Sequence, residues 1–338
     1  MTPYLTPKLE IDDMILDYFT SQFIESSPYF LRQSYNKLFI KSLLSLVDTA
    51  ARGFKKDYVG LKERINNIDP NKKLNQQLYA VHASLMNSLK MNNAPEVSKL
   101  LESLSQILNR QSYASLFDIR TITSETWEQN VLESLKEQNL DKQGKMSTIN
   151  LVDENQIMKY SPIINESLKS LKIASPLFYD EFESYVAEIK LFSSDRLVGL
   201  TDPRVFGTVY ISISNTDLPL DVYFCEHIIH ETSHLHLNTL FAQDPLILND
   251  PQERYSAPIR PDSRPMYGIF HATFVLSRMV RIFHQLFELL GKSSYQECLN
   301  LFQRQFFNGY TTIINHAKLT KCGEKIVSSY SDIAMQRQ

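Results

Sequence analysis

Gly207-Thr-Val-Tyr-Ile-Ser-Ile-Ser-Asn-Thr-Asp-Leu-Pro-Leu-Asp-Val-Tyr-Phe-Cys-Glu-His-Ile-Ile-His-Glu-Thr-Ser-His234 changes its periodicity halfway along. In the first eight residues Val209, Ile211 and Ile213 point one way and Thr208, Tyr210 and Ser212 the other, the two-residue period of a strand. Asn215-Thr-Asp217 and Pro219 close it. From Val222 to about Ala242 the spacing is helical.

Working outward, Thr148–Val152 and Ala187–Phe192 read as further short strands, and the rest reads as helix. Leu31, Tyr35, Leu38, Phe39, Leu43, Leu46 and Val47 recur at three- and four-residue steps, as do Leu74, Leu78, Val81, Leu85 and Leu89. Val97, Leu100, Leu101, Leu104, Ile107 and Leu108 form a third stripe, and Ser124 can cap another helix with Glu125 and Glu128 at its positive end. These stripes are core, and His82 beside one of them is structural. A helix from about Tyr267 to Leu290 is apolar around most of its circumference and stops at Gly291. Between the last two helices, Pro245, Pro251, Pro258, Pro261 and Pro265 make a stiff loop. The fold class expected is α+β and mostly helical, with a small antiparallel or mixed sheet ahead of the histidine-bearing helix. The polar stretch Lys136–Ser147 is the best linker, dividing a helical N-terminal region, 1–140, from a catalytic region, 141–338.

Composition excludes several classes. Of 338 residues 43% are hydrophobic and 22% charged, and the net charge is -3, against a basic nucleic-acid footprint. Cys225, Cys298 and Cys322 form no Cys-x-x-Cys pair, which fits a reducing, cytoplasmic compartment. No apolar run approaches a membrane span, and no signal peptide is indicated.

His230 and His234 are one helical turn apart, so two imidazoles aim at one point with Glu231 beside it. This His-Glu-x-x-His arrangement supplies two metal ligands and a carboxylate near the metal-bound water. Imidazole suits zinc and iron alike. Four of the eight histidines, His227, His230, His234 and His236, fall within ten residues; His227 shares the ligand face in a supporting role, and His236 lies outside. A third donor is needed. Leu237 and Leu240 stand where one protease class carries Gly and His, which excludes that class. Glu253 and Asp262 are loop candidates, but His271, in the first turns of the next helix, is preferred because packing would hold it. Arg260 and Arg264 sit four apart just before it, suited to clamping a carboxylate or, alternatively, to bracing the loop through Asp250, Glu253 or Asp262.

The runs Ile229-His-Glu-Thr-Ser-His234 and Tyr255-Ser-Ala-Pro-Ile-Arg260-Pro-Asp-Ser-Arg264-Pro-Met-Tyr-Gly268-Ile-Phe-His271-Ala resemble the HExxH-motif peptide-modification proteins of ribosomal peptide biosynthesis. The resemblance is strong over Gly207 to Arg278; Ile259 departs from it, standing where an aromatic residue is expected. It implies an iron(II)- and 2-oxoglutarate-dependent dioxygenase that hydroxylates the β-carbon of a residue in a precursor peptide. His230, His234 and His271 would bind iron, Arg260 or Arg264 would take the distal carboxylate of 2-oxoglutarate, and Glu231 would orient a ligand or water. The strand Gly207–Ser214 would pair with the extended peptide, or else lie wholly inside its sheet. Two alternatives stand beside this: a zinc-dependent peptidase or amidase with Glu231 as general base, and a non-catalytic helical protein that binds a precursor peptide.

Overall fold

The computed structural model describes residues 16–335 apart from 56, 111, 115, 139–143, 214, 215, 260 and 261. The fold is α+β and mostly helical. Its helices are α1 (Ser27–Phe54), α2 (Val59–Asn66), α3 (Gln76–Lys90), α4 (Ala94–Arg110), α5 (Thr126–Gln138), α6 (Glu154–Ala174), α7 (Pro176–Tyr185), α8 (Leu220–Phe241), α9 (Met266–Leu290), α10 (Ser293–His316), α11 (Lys321–Ser328) and α12 (Ser331–Met335). Its strands are β1 (Asp118–Thr121), β2 (Glu188–Phe192), β3 (Gly199–Leu200) and β4 (Thr208–Ser212). No helix among the described residues is long and apolar enough to cross a membrane.

Compactness divides the chain at other places than residue 140. One unit comprises Met1–Leu31, Pro162–Phe182 and Thr216–Gln338; the other comprises Arg32–Ser161 and Glu183–Asn215. The proposed linker Lys136–Ser147 falls partly on the end of α5 and partly outside the described residues.

The second unit holds the whole sheet, in the order β1-β2-β4-β3, with β1–β2 and β2–β4 parallel and β3–β4 antiparallel. Thr148–Val152 is not a strand; only Asn150 bridges, to Ser193. β4 does not offer an edge to a peptide. β2 pairs along Thr208–Ser212 and β3 takes the other side at Tyr210 and Ile211. The alternation of β4 suggests one solvated face, yet every residue of β2 and β4 is buried. The polar face is covered because its charges are answered internally. Lys190 Nζ donates to Glu128 Oε1 at 2.6 Å, Tyr210 donates to the same oxygen at 2.9 Å, and Thr208 donates to Glu188 Oε1 at 2.7 Å. Arg120 closes the group on Glu188, and buried ions persist only when paired in this way. Beside it, Ile122, Val131, Leu132, Leu135, Val205 and Phe192 form an apolar core.

In the first unit α8 and α9 pack together, and α10 packs along α9. Gly309 of α10 makes that approach possible: a Cβ there would stand 2.1 Å from Thr273 Oγ1 of α9 and 3.1 Å from Pro258. Pro265 begins α9, and Gly291, with φ 63°, ends it in the left-handed region that glycine adopts freely.

Candidate metal centre

α8 begins after Pro219, with Asp221 in its first turn favouring the positive end of the dipole. Its apolar residues go nearly all the way round, including Val222, Phe224, Ile228, Ile229, Leu235, Leu237 and Leu240, all with no measurable exposure. Such a helix has no ordinary solvated face. A single stripe nonetheless keeps partial access to solvent: Glu226, His230, His234 and Asn238, each four residues after the last, then Phe241. On α9, His271 and Ala272 are likewise partly accessible and Tyr267 is exposed.

The rings of His230 and His234 have centres 4.7 Å apart at 72°, and those of His234 and His271 are stacked at 4.6 Å and 21°. Phe241 and Tyr267 continue the group, with centres 6.2 Å and 5.6 Å from that of His271 and 4.9 Å from each other. The three histidines are therefore neighbours although 37 residues separate the last two.

Burial lowers all three pKa values. His230 is held down to about 3, with His227 and His271 adding to the effect; His271 is held down to about 4; His234 is well below its ordinary value, with the other two contributing. Neutral imidazole is the form that binds a metal ion. Among the described residues His234 Nδ1, closed off from solvent, has no hydrogen-bond partner, a state that costs about 1–3 kcal/mol.

With a metal–nitrogen bond of about 2.1 Å, a ring centre lies about 3.2 Å from the ion, and two rings at right angles stand about 4.5 Å apart. The two ring-centre separations, 4.7 and 4.6 Å, match that value. The aim of the rings does not follow. As the side chains stand, no group of three or more His, Cys, Asp or Glu among the described residues is disposed to hold a metal ion. An ion would need the imidazoles to turn about the Cβ–Cγ bond, a broad and shallow torsion. The donor chemistry fits a metal; the ring orientations seen here do not converge on one.

The other candidates are dispersed. Glu231 is 4% exposed and lies off the accessible stripe. His227 donates from Nδ1–H to Tyr223 O at 2.8 Å and packs on the Tyr223 ring. His236 faces Glu181 at 3.1 Å, and Glu181 is also paired with Arg278, whose Nε donates to Ser233 Oγ at 3.1 Å. The Arg278 guanidinium, fully buried, lies 4.3 Å from the centre of the Phe23 ring. Sequence reasoning missed this brace, because nothing local to Arg278 names partners 45 and 97 residues away.

Arg264 pairs with Asp262 at 2.6 Å, and its backbone exchanges hydrogen bonds with Tyr255 at 2.8 and 2.9 Å. This is the loop-bracing arrangement. Arg260 lies outside the described residues. Glu253 accepts from Tyr255 and Asn249, within a loop network that Asn249 ties to His316 O and Lys318 N. Glu226 and Asn238 were also missed, although their four-residue spacing from the histidines was available. Burial raises the Glu226 carboxyl to about 7.

No protein-family model matches the chain, and no curated protein matches it.

Proposed function

We propose that this chain is an iron(II)- and 2-oxoglutarate-dependent oxygenase that hydroxylates the β-carbon of a residue in a ribosomally made precursor peptide. The reading rests on one observation: three neutral histidines from two helices adjoin along the only stripe of α8 that reaches solvent. Three imidazoles and open positions suit iron(II) as well as zinc. The resemblance to the peptide-modification proteins tips the choice to iron.

His230, His234 and His271 would hold the metal. Iron, once bound, supplies the oxidation, with 2-oxoglutarate as the co-substrate that becomes succinate. The chain's own residues supply geometry. Arg260 or Arg264 would take the distal carboxylate of the co-substrate; Arg264 would exchange its Asp262 partner for it. Phe241 and Tyr267 wall the His271 side and limit water there. Glu231, buried and off the stripe, is suited to fixing the orientation of its surroundings rather than to meeting solvent water.

The test is to purify the protein without oxygen and add iron(II), 2-oxoglutarate and the peptide encoded beside it. On admitting oxygen, succinate and a peptide heavier by one oxygen atom are expected. Peptide cleavage without 2-oxoglutarate, lost in Glu231→Gln, would establish the zinc peptidase instead. Absence of any bound metal, with function intact in His234→Ala, would leave the peptide-binding protein.

A further inference from the structure

We propose that the accessible stripe of α8 is the seat of an extended peptide, with Glu226 receiving a lysine or arginine side chain of that peptide and Asn238 its backbone. The inference deepens the reading above and rests on it in one respect, that the reacting residue lies opposite His230, His234 and His271.

Glu226 and Asn238 stand one helical turn outside His230 and His234, at opposite ends of the histidine pair and on the same partly accessible stripe. Neither side chain makes a hydrogen bond or an ion pair among the described residues. For a half-buried carboxylate that is unusual, because charge taken from water is normally answered by a cation or by N–H donors. Elsewhere in the fold it is: Arg120 answers Glu188, Lys190 answers Glu128, and Arg278 answers Glu181. Burial pushes the Glu226 carboxyl up to about 7, with no positive charge pulling it back. The neighbours that feel its charge, Tyr223 on α8 and Cys298 on α10, supply no cation. Lys292, just before α10, is taken by Asp221 at 2.6 Å. The chain thus leaves Glu226 without the partner that would stabilise its charged form, and a peptide can bring one.

Asn238 points to a peptide separately. Its amide offers one acceptor and two donors, enough to pair with both the C=O and the N–H of an extended residue. The dimensions agree. Glu226 and Asn238 are 12 residues apart, about 18 Å along a helix, which is the length of about five extended residues. His230 and His234 lie midway, so the cationic residue belongs about two or three positions from the one that reacts. Beyond Asn238 the stripe ends on Phe241, whose ring centre is 4.9 Å from that of the exposed Tyr267. One end therefore carries a charge and the other an aromatic pair, which fixes how a peptide with a single cation lies.

The test uses a pool of blocked peptides, randomised at every position and long enough to span the stripe. The pool is passed over the immobilised full chain without oxygen, in salt that screens general attraction, and the retained peptides are sequenced by mass spectrometry. Wild type should retain peptides bearing lysine or arginine about tenfold better than those without. Glu226→Gln should still retain peptides and lose that preference, and Glu226→Lys should prefer aspartate and glutamate, a reversal that a folding defect does not produce. Asn238→Leu should weaken retention of all peptides alike and keep the preference. No retention by wild type, retention without preference, or a preference unchanged in Glu226→Gln would each overturn the proposal. Oxidation is read apart from binding, by giving the input pool iron(II), 2-oxoglutarate and oxygen. A cationic preference in retention with no succinate formed would sink the oxygenase and leave the peptide seat standing; peptides that gain oxygen whatever their charge would sink the seat and leave the oxygenase.

Discussion

Acidification should loosen α8 and α9 ahead of the rest of the chain, and the size of the effect follows from three rings. An unfolded histidine titrates near 6.5, whereas in the fold His230 is held to about 3, His271 to about 4 and His234 well below 6.5. The fold thus keeps them neutral where the unfolded chain takes up protons. Their contribution is fully present above about pH 6.5 and drains away as pH falls toward the folded values. At pH 5.5 each ring forfeits about 1.4 kcal/mol, and three forfeit about 4 kcal/mol. Because the rings retain some solvent access, about half of that, roughly 2 kcal/mol, is the expected loss. Native-state hydrogen exchange of the α8 and α9 amides, in metal-free protein at pH 7.5 and 5.5, measures it. The control is the triple variant His230→Asn, His234→Asn, His271→Asn, in which His82, His227 and His236 titrate as before. Wild type should lose about 2 kcal/mol more than the control between the two pH values. Equal losses in both proteins would refute the reasoning. The same rings, already neutral at pH 5.5, should give a metal affinity that changes little over this range.

Three further outcomes are expected. Arg278→Met leaves Glu181 in a dry interior with His236 as its remaining partner and should destabilise the protein by about 3 kcal/mol in urea unfolding, with much of the loss recovered in Arg278→Met, Glu181→Leu. Glu226, whose carboxyl is raised to about 7, destabilises the metal-free fold as pH rises from about 4.5 through 7; Glu226→Gln should therefore raise the melting temperature at pH 8 and leave it nearly unchanged at pH 4.5. Gly309→Ala should cost about 1–3 kcal/mol, because its methyl group meets Thr273 and Pro258, and a variant as stable as wild type would show that α9 and α10 can part without penalty.

Much of the fold can be read locally, and the exceptions share a cause. The change from a two-residue to a helical period locates β4 and α8 to within a few residues, and Gly291 ends α9 where a C-terminal glycine should. The sheet was harder. β1 is only Asp118–Thr121 and β3 only Gly199–Leu200, too short to carry a pattern, and both exist because longer strands offer them backbone partners. The burial of Lys190 was also hidden, since the ion that answers it, Glu128, comes from a helix about 60 residues earlier. At the histidine centre, a turn of helix explains why His230 and His234 adjoin. The meeting with His271 depends on how α8 and α9 pack, which no local spacing encodes. Arg264 illustrates the opposite case: its partner Asp262 is two residues away, and loop bracing was legible from the start.

The interleaving of the two compact units bears on the order in which the protein is made. The sheet-bearing unit is complete in sequence at Asn215, before any of α8 has been translated. That unit can collapse around β2 and β4 on the ribosome, while the other still waits for its long C-terminal segment. His271 emerges on the order of several seconds later. If the proposed metal centre forms, a cation that needs all three imidazoles would be captured only after that interval, late in biosynthesis.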